Sequence, residues 1–240
     1  PRWIAHRGAG KLAPENTLAA FRLGAQHGYR MFECDAKLSA DGVPFLLHDA
    51  TLERTTNGRG TGGDLPLGAL AQLDAGSWHS RAYAGEAVPT LEALARFCIA
   101  NGYFLNIEIK PTPGQEETTG RVVGETAARL WQGQAVPPLF SSFKPDALAG
   151  AQATAAHIPR ALLLDTLWDG CLDTARRLGC VAIVCNHALW DAALVAQVKG
   201  MGMRTLSYTV NDDWAAQRLI ALGTDGIITD RVDLFSPATP

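Results

Sequence analysis

The sequence lacks any apolar run approaching the roughly 18 residues of a membrane-spanning helix. It also lacks a charge excess of either sign. Lys and Arg number 21 against 24 Asp and Glu, a formal net charge of −3 over 240 residues. Such a balance gives no bulk electrostatic hold on nucleic acid or anionic lipid, so any phosphate chemistry must come from a local site. No Cys-x-x-Cys pair occurs among Cys34, Cys98, Cys171, Cys180 and Cys185, which leaves neither a zinc nor a redox motif. An odd number of unpaired cysteines reads as buried thiols in a reducing compartment. No signal-peptide core precedes the strand-like Trp3–His6, and a cytoplasmic location is expected. A phosphate-binding P-loop, a Gly-x-Ser-x-Gly elbow and a His-x-His pair on the first strand are absent as well. Gly58, Gly60 and Gly63 satisfy Gly-x-Gly-x-x-Gly, but Asp64-Leu65-Pro66 follows rather than a helix. That stretch is expected to be a loop, not a dinucleotide site.

What is present is 47% hydrophobic residues and 19% charged ones, enough for one large core and too regular for a disordered chain. Short apolar runs alternate with helical patterns throughout. Strands are expected at Trp3–His6, Met31–Lys37, Tyr103–Lys110, Leu139–Ser142, Arg160–Leu164, Val181–Cys185, Arg204–Tyr208 and Gly226–Thr229. Between them lie helical segments such as Leu91, Leu94, Ala95 and Cys98, spaced i, i+3, i+4, i+7. Gly102, Gly179, Gly202 and Gly223 each follow such a segment, where a left-handed residue ends a helix. Eight strand–helix units in this length are the measure of a TIM (β/α)8 barrel. A doubly wound open sheet is the competitor, and carboxylates at several strand ends favour the barrel. Residues 1–240 read as one domain. An insertion at about 38–90, after the second strand, carries the apolar run Val43–Leu47 and a short helix near Leu67–Leu73. In a barrel it would lie over the C-terminal mouth.

The second and third strands carry the chemistry. Alternation puts Glu33, Asp35 and Lys37 on one face, and Asn106, Glu108 and Lys110 on another, while Leu105, Ile107 and Ile109 take the opposite side. A barrel's outer face must be apolar to meet its helices, so the polar set points inward. Ionised groups there must be paired or must ligate a cation. A buried network of the three carboxylates with Lys37 and Lys110 is one reading. A divalent ion relieves their repulsion more directly, and hard oxygen donors indicate Mg²⁺ or Ca²⁺. His6 and His48 each close an apolar run near the same mouth and form a candidate acid/base pair. Arg7 and Lys110 add positive charge suited to an anionic ligand.

The blocks His6-Arg7-Gly8, Pro14-Glu15-Asn16-Thr17, Glu33-x-Asp35, His48-Asp49, Thr51-Leu52-x-Arg54-Thr55-Thr56-Asn57-Gly58, Pro89-Thr90-Leu91-Glu92, Glu108-x-Lys110 and Asp225–Asp230 occur in order along nearly the whole chain. Together they resemble the glycerophosphodiester phosphodiesterases. The resemblance implies a TIM barrel with an insertion after the second strand. It also implies hydrolysis of small glycerophosphodiesters to sn-glycerol 3-phosphate and an alcohol with Ca²⁺ or Mg²⁺. By the same resemblance Glu33, Asp35 and Glu108 hold the metal, His6 and His48 transfer protons, and Arg7 and Lys110 contact phosphate. Tyr208 stands where the family commonly has Trp, against the glycerol moiety. A related barrel phospholipase acting on lysophospholipids and a non-catalytic phosphate-ligand binder are the alternatives.

Overall fold

The computed structural model describes residues 2–238. Its strands are β1 (Trp3–His6), β2 (Met31–Leu38), β3 (Pro44–Leu46), β4 (Phe104–Ile109), β5 (Leu139–Ser142), β6 (Arg160–Leu164), β7 (Ala182–Asn186), β8 (Arg204–Tyr208) and β9 (Gly226–Thr229). The helices are α1 (Leu18–Gln26), α2 (Leu67–Leu70), α3 (Leu91–Asn101), α4 (Glu116–Leu130), α5 (Pro145–Thr154), α6 (Cys171–Arg177), α7 (Ala192–Gly200) and α8 (Asp213–Ala221). Eight strands pair in parallel in the order β1-β9-β8-β7-β6-β5-β4-β2, and the β1–β2 pairing closes the ring. The (β/α)8 barrel is therefore the fold, and the open sheet is excluded. Among the described residues, no helix is long and apolar enough to cross a membrane.

Closure sorts side chains by parity. Phe32, Cys34, Ala36, Leu105, Ile107 and Ile109 point outward into the apolar layer beneath the helices. Inside, Ile4, Ala161, Leu163, Ala182, Val184, Leu206 and Ile228 form a separate cluster. The inward face of β6–β9 is thus largely apolar, whereas β1, β2 and β4 present His6, Glu33, Asp35, Lys37, Asn106 and Glu108. Register then sets which of these meet. His6 is opposite Glu33, Glu33 opposite Asn106 and Asp35 opposite Glu108.

The helix ends carry local signals that agree with this plan. Thr90 caps α3 by accepting from the Ala93 N–H at 3.0 Å, and Asp191 and Asp212 cap α7 and α8 in the same way. The four glycines expected to end helices all have positive φ. In the interval after β2, the run Val43–Leu47 contributes only three strand residues, as β3 pairing antiparallel with β2 outside the ring. Phe45, Leu47, Leu52, Leu70, Ala75 and Val88 give this segment its own small core. The glycine-rich 58–63 stretch is loop with one short 3-10 turn, Gly62–Asp64.

Candidate active site

His6 and Arg7 leave the end of β1 through a strained turn. Arg7 and Asn16 have φ of 55° and 59°, a left-handed conformation costing about 1–3 kcal/mol for such residues. The Gly10 N–H donates to the His6 carbonyl at 2.8 Å and the Asn16 N–H to the Arg7 carbonyl at 3.0 Å. The bend aims the Arg7 backbone N–H at Glu33 Oε2, 3.2 Å away. It also lets Asn16 clasp Asp35: the Asn16 amide donates to Asp35 Oδ2 at 3.0 Å, and the Asp35 N–H donates back to Asn16 Oδ1 at 3.2 Å.

Glu33, Asp35 and Glu108 each offer an oxygen such that all three lie within 4.8 Å of one another. Burial pushes the Glu33 and Glu108 carboxyls well above the usual carboxylate range, and the neighbouring Asp35 charge pushes the same way. Burial acts most strongly on Asp35 too, but Arg7, His48 and hydrogen bonds with Glu108 and Asn16 together outweigh it and hold its carboxyl low. Glu33 Oε1 and Asp35 Oδ1 are buried without a hydrogen-bond partner in the protein. Among the described residues, neither Lys37 nor Lys110 forms an ion pair with the three acids. Lys37 is 1% exposed and donates instead to the carbonyls of His48 and Lys110, both at 3.2 Å. Burial lowers its ammonium to about 8. Free buried lone pairs, crowded acids and only oxygen donors fit a hard divalent cation better than an internal ion-pair network.

The two imidazoles are held alike. His6 Nδ1 lies 2.7 Å from Asp230 Oδ1, and Asp230 is fixed in turn by Asn211 at 3.0 Å. His48 Nδ1 lies 2.9 Å from Asp49 Oδ1. Asp49 and Glu15 are bridged by the Arg54 guanidinium at 2.8–3.0 Å, whose hydrogen bonds hold the Asp49 carboxyl low. A carboxylate at Nδ1 selects the Nδ1–H tautomer of a neutral ring and leaves the Nε2 lone pair for the site. Burial, the largest influence on His48, lowers its pKa. His6 Nε2 is 3.5 Å from Glu33 Oε2.

A cavity of about 520 Å³ is walled by His6, Arg7, Glu33, His48, Glu108 and Lys110, and across from them by Phe143, Leu163, Tyr208 and Ile228. Asp35 lies beneath it, fully buried. Arg7 is partly engaged already, with Nη1 2.9 Å from Glu15 and Nε 3.4 Å from Asp35. Lys110 has its ammonium 5.9 Å from the centre of the Phe143 ring. Tyr208 stacks edge-on against Phe143 and donates its hydroxyl to Asp165 at 3.1 Å. All eight residues singled out from the sequence therefore gather at one end of the barrel.

Asp230, Asn16 and Asp49 had no assigned site role at the level of sequence, although each lies in a quoted block, and Lys37 entered only as an ion-pair partner in the buried-network reading. Asp49 adjoins His48, and Asp230 follows the last strand. Those positions were the available signals.

The family model for the glycerophosphoryl diester phosphodiesterase family matches residues 6–234. The chain is 34% identical to YhdW of Bacillus subtilis, over 97% of this chain and 95% of that one. It is 33% identical to a glycerophosphodiester phosphodiesterase of Caldanaerobacter subterraneus, over 95% and 93%. A phosphodiesterase of Oleispira antarctica, solved with the product sn-glycerol-3-phosphate, superposes with a TM-score of 0.89 at 36% identity, over 96% and 93% of the two chains. Matching blocks, barrel and relatives agree, and the chain belongs to the glycerophosphoryl diester phosphodiesterase family.

Proposed function

We propose that this protein hydrolyses glycerophosphodiesters to sn-glycerol 3-phosphate and an alcohol. Glu33, Asp35 and Glu108 would hold a divalent cation, Mg²⁺ or Ca²⁺, and His6 and His48 would carry the protons. One observation carries the reading: two imidazoles, each anchored at Nδ1 by a carboxylate, share a cavity with Glu33 and Glu108 above the buried Asp35, and two of these three crowded acids, Glu33 and Asp35, keep a free buried oxygen. When bound, the cation supplies positive charge next to the phosphoryl oxygens. Arg7 and Lys110 orient the phosphate and stabilise the charge that grows on it in the transition state. Tyr208 and Phe143 bracket the glycerol arm. His48, kept neutral by burial, takes the proton from the attacking water as its oxygen bonds to phosphorus. His6, which lines both this cavity and a second one beside it, acts in its doubly protonated form, with Nδ1–H on Asp230, and gives the Nε2 proton to the leaving alcohol's oxygen as the P–O bond breaks.

The test is enzymatically coupled detection of glycerol 3-phosphate released from several glycerophosphodiesters. Release is expected, with loss after EDTA and recovery on adding Mg²⁺ or Ca²⁺. No release from any diester with metal present overturns the proposal. A second reading, turnover of lysophospholipids, is favoured by exposed Leu12, Trp78, Leu167, Trp168, Trp214 and Leu234. All six lie in segments that follow the C-terminal ends of barrel strands, where an acyl chain could rest. A long-chain lysophospholipid cleaved faster than glycerophosphocholine would establish it.

Lys37 gives a further expected outcome. Its ammonium ties the backbone of His48 to that of Lys110. Lys37→Met should lower kcat about 10–100-fold, the scale of an ångström-sized misplacement of catalytic groups. Stability should change by under about 2 kcal/mol, because losing the two hydrogen bonds is offset by no longer burying a charge. Steady-state kinetics beside a thermal melt check both halves, and full activity in the variant would show the tether is dispensable.

A further inference from the structure

A second cavity, of about 430 Å³, shares His6 and Arg7 with the first and continues past them to Lys11, Glu15, Arg54 and Trp78. A phosphodiester has two organic arms, and in-line displacement sends the attacking and leaving oxygens to opposite sides of phosphorus. Two cavities that meet at a shared imidazole and guanidinium match that division.

The charges in the second cavity are mostly spent. Both Glu15 oxygens are taken by Arg54, one of them shared with Arg7. Both Asp230 oxygens are taken, by His6 and Asn211. The remaining Arg54 hydrogen bonds go to Asp49. Trp78 gives its indole N–H to the Ala75 carbonyl at 2.9 Å and so presents ring surface rather than a donor. Among the described residues, Lys11 has no carboxylate within ion-pair distance. Its backbone is nonetheless held, because His79 Nε2 lies 2.8 Å from the Lys11 carbonyl and joins the β1–α1 turn to the inserted segment.

We infer that this second cavity receives the leaving alcohol and that Lys11 sets its selectivity, favouring uncharged polyol or anionic head groups over quaternary ammonium ones. The inference rests on the phosphodiesterase reading above. Trp78 supplies the apolar platform under the alcohol's carbon chain. A head-group cation meets one unneutralised ammonium there, whereas hydroxyls can accept from it.

The experiment compares kcat/KM for glycerophosphoglycerol and glycerophosphocholine in wild type, Lys11→Met, Lys11→Glu and Trp78→Ala. Lys11 is exposed, so its variants are expected to fold, which a thermal melt checks. At water-like dielectric and a separation of about 5–6 Å, reversing its charge should shift the glycerol-to-choline ratio about tenfold toward choline, and removing the charge about threefold. Both shifts should shrink in about 1 M salt, where the Debye length falls to about 3 Å. Trp78→Ala should raise KM for both diesters. A ratio unchanged within twofold in Lys11→Glu, or KM unmoved in Trp78→Ala, overturns the subsite while leaving the phosphodiesterase reading intact. No turnover of either diester by the wild type overturns that reading and the subsite with it.

Discussion

His48→Gln is expected to reduce kcat about 10²–10⁴-fold, with KM and the melting temperature in metal close to wild type, and His6→Gln is expected to match it. The side chains justify separating rate from stability. His48 is partly exposed at the cavity wall, and among the described residues its one side-chain hydrogen bond is to Asp49. Asp49 keeps its two contacts with Arg54 when the ring is lost, so no buried charge is stranded. The fold therefore loses little and proton transfer loses its agent. Burial sets the sign of the pH profile. The neutral imidazole persists below its ordinary range, so the acid limb of kcat/KM that His48 controls should lie lower than a solvent-exposed histidine's. That limb should disappear in His48→Gln. Because the histidines act on opposite oxygens of one displacement, the double variant should be barely slower than either single one. Full multiplicative loss, or a single variant with wild-type kcat, would remove both from proton transfer.

Much of this arrangement was readable from alternation. From Glu33 to Lys37 in β2 and from Asn106 to Glu108 in β4 every second residue is polar or charged, and a barrel leaves such a face only one direction to point. The apolar partners on the outward parity settled the rest. Alternation did not reveal closure, because an open sheet has the same strands, and the difference is the β1–β2 pairing between distant segments. Nor did it reveal what holds the histidines. Asp230 is 224 residues from His6, and their contact exists only because β9 and β1 are neighbours. Lys37 teaches a different lesson. Its position on the inward face was predictable, but an ion pair with the acids is only one use for a buried ammonium. Its actual partners are two carbonyls at the ends of β4 and of the run through β3, whose meeting above β2 depends on the antiparallel β3 that periodicity marked only as an extra apolar run. Asn16 was hidden for a related reason, since its clasp on Asp35 depends on a left-handed backbone conformation that residue type alone does not specify.

Glu33→Gln should separate a metal site from a structural one. Without metal, the Glu33 carboxyl is raised well above the normal range by burial and then by Asp35 and Glu108. The folded state thus binds a proton there more tightly than the unfolded chain does. Stability from this group is fully present below the ordinary Glu value of about 4.3 and is lost as pH rises through the folded value. In EDTA, wild-type stability should accordingly fall as pH climbs from about 5 toward 7, with Glu108 contributing in the same direction. Glutamine mimics the protonated acid and can still accept the Arg7 N–H, so the variant in EDTA should melt at or above the wild type and show a flatter pH slope. Metal reverses the comparison. At a hundred times Kd, a ligand adds about 2.7 kcal/mol to stability, and a hundredfold weaker site adds about 0.4 kcal/mol at the same concentration. For a chain of this size, the wild-type gain of about 5–10 °C should shrink to about 1 °C in Glu33→Gln, along with loss of turnover. Melts across pH with EDTA, Mg²⁺ or Ca²⁺ make the measurement. If the variant instead loses several degrees in EDTA and keeps the full response to metal, Glu33 is a structural acceptor and the ion belongs elsewhere.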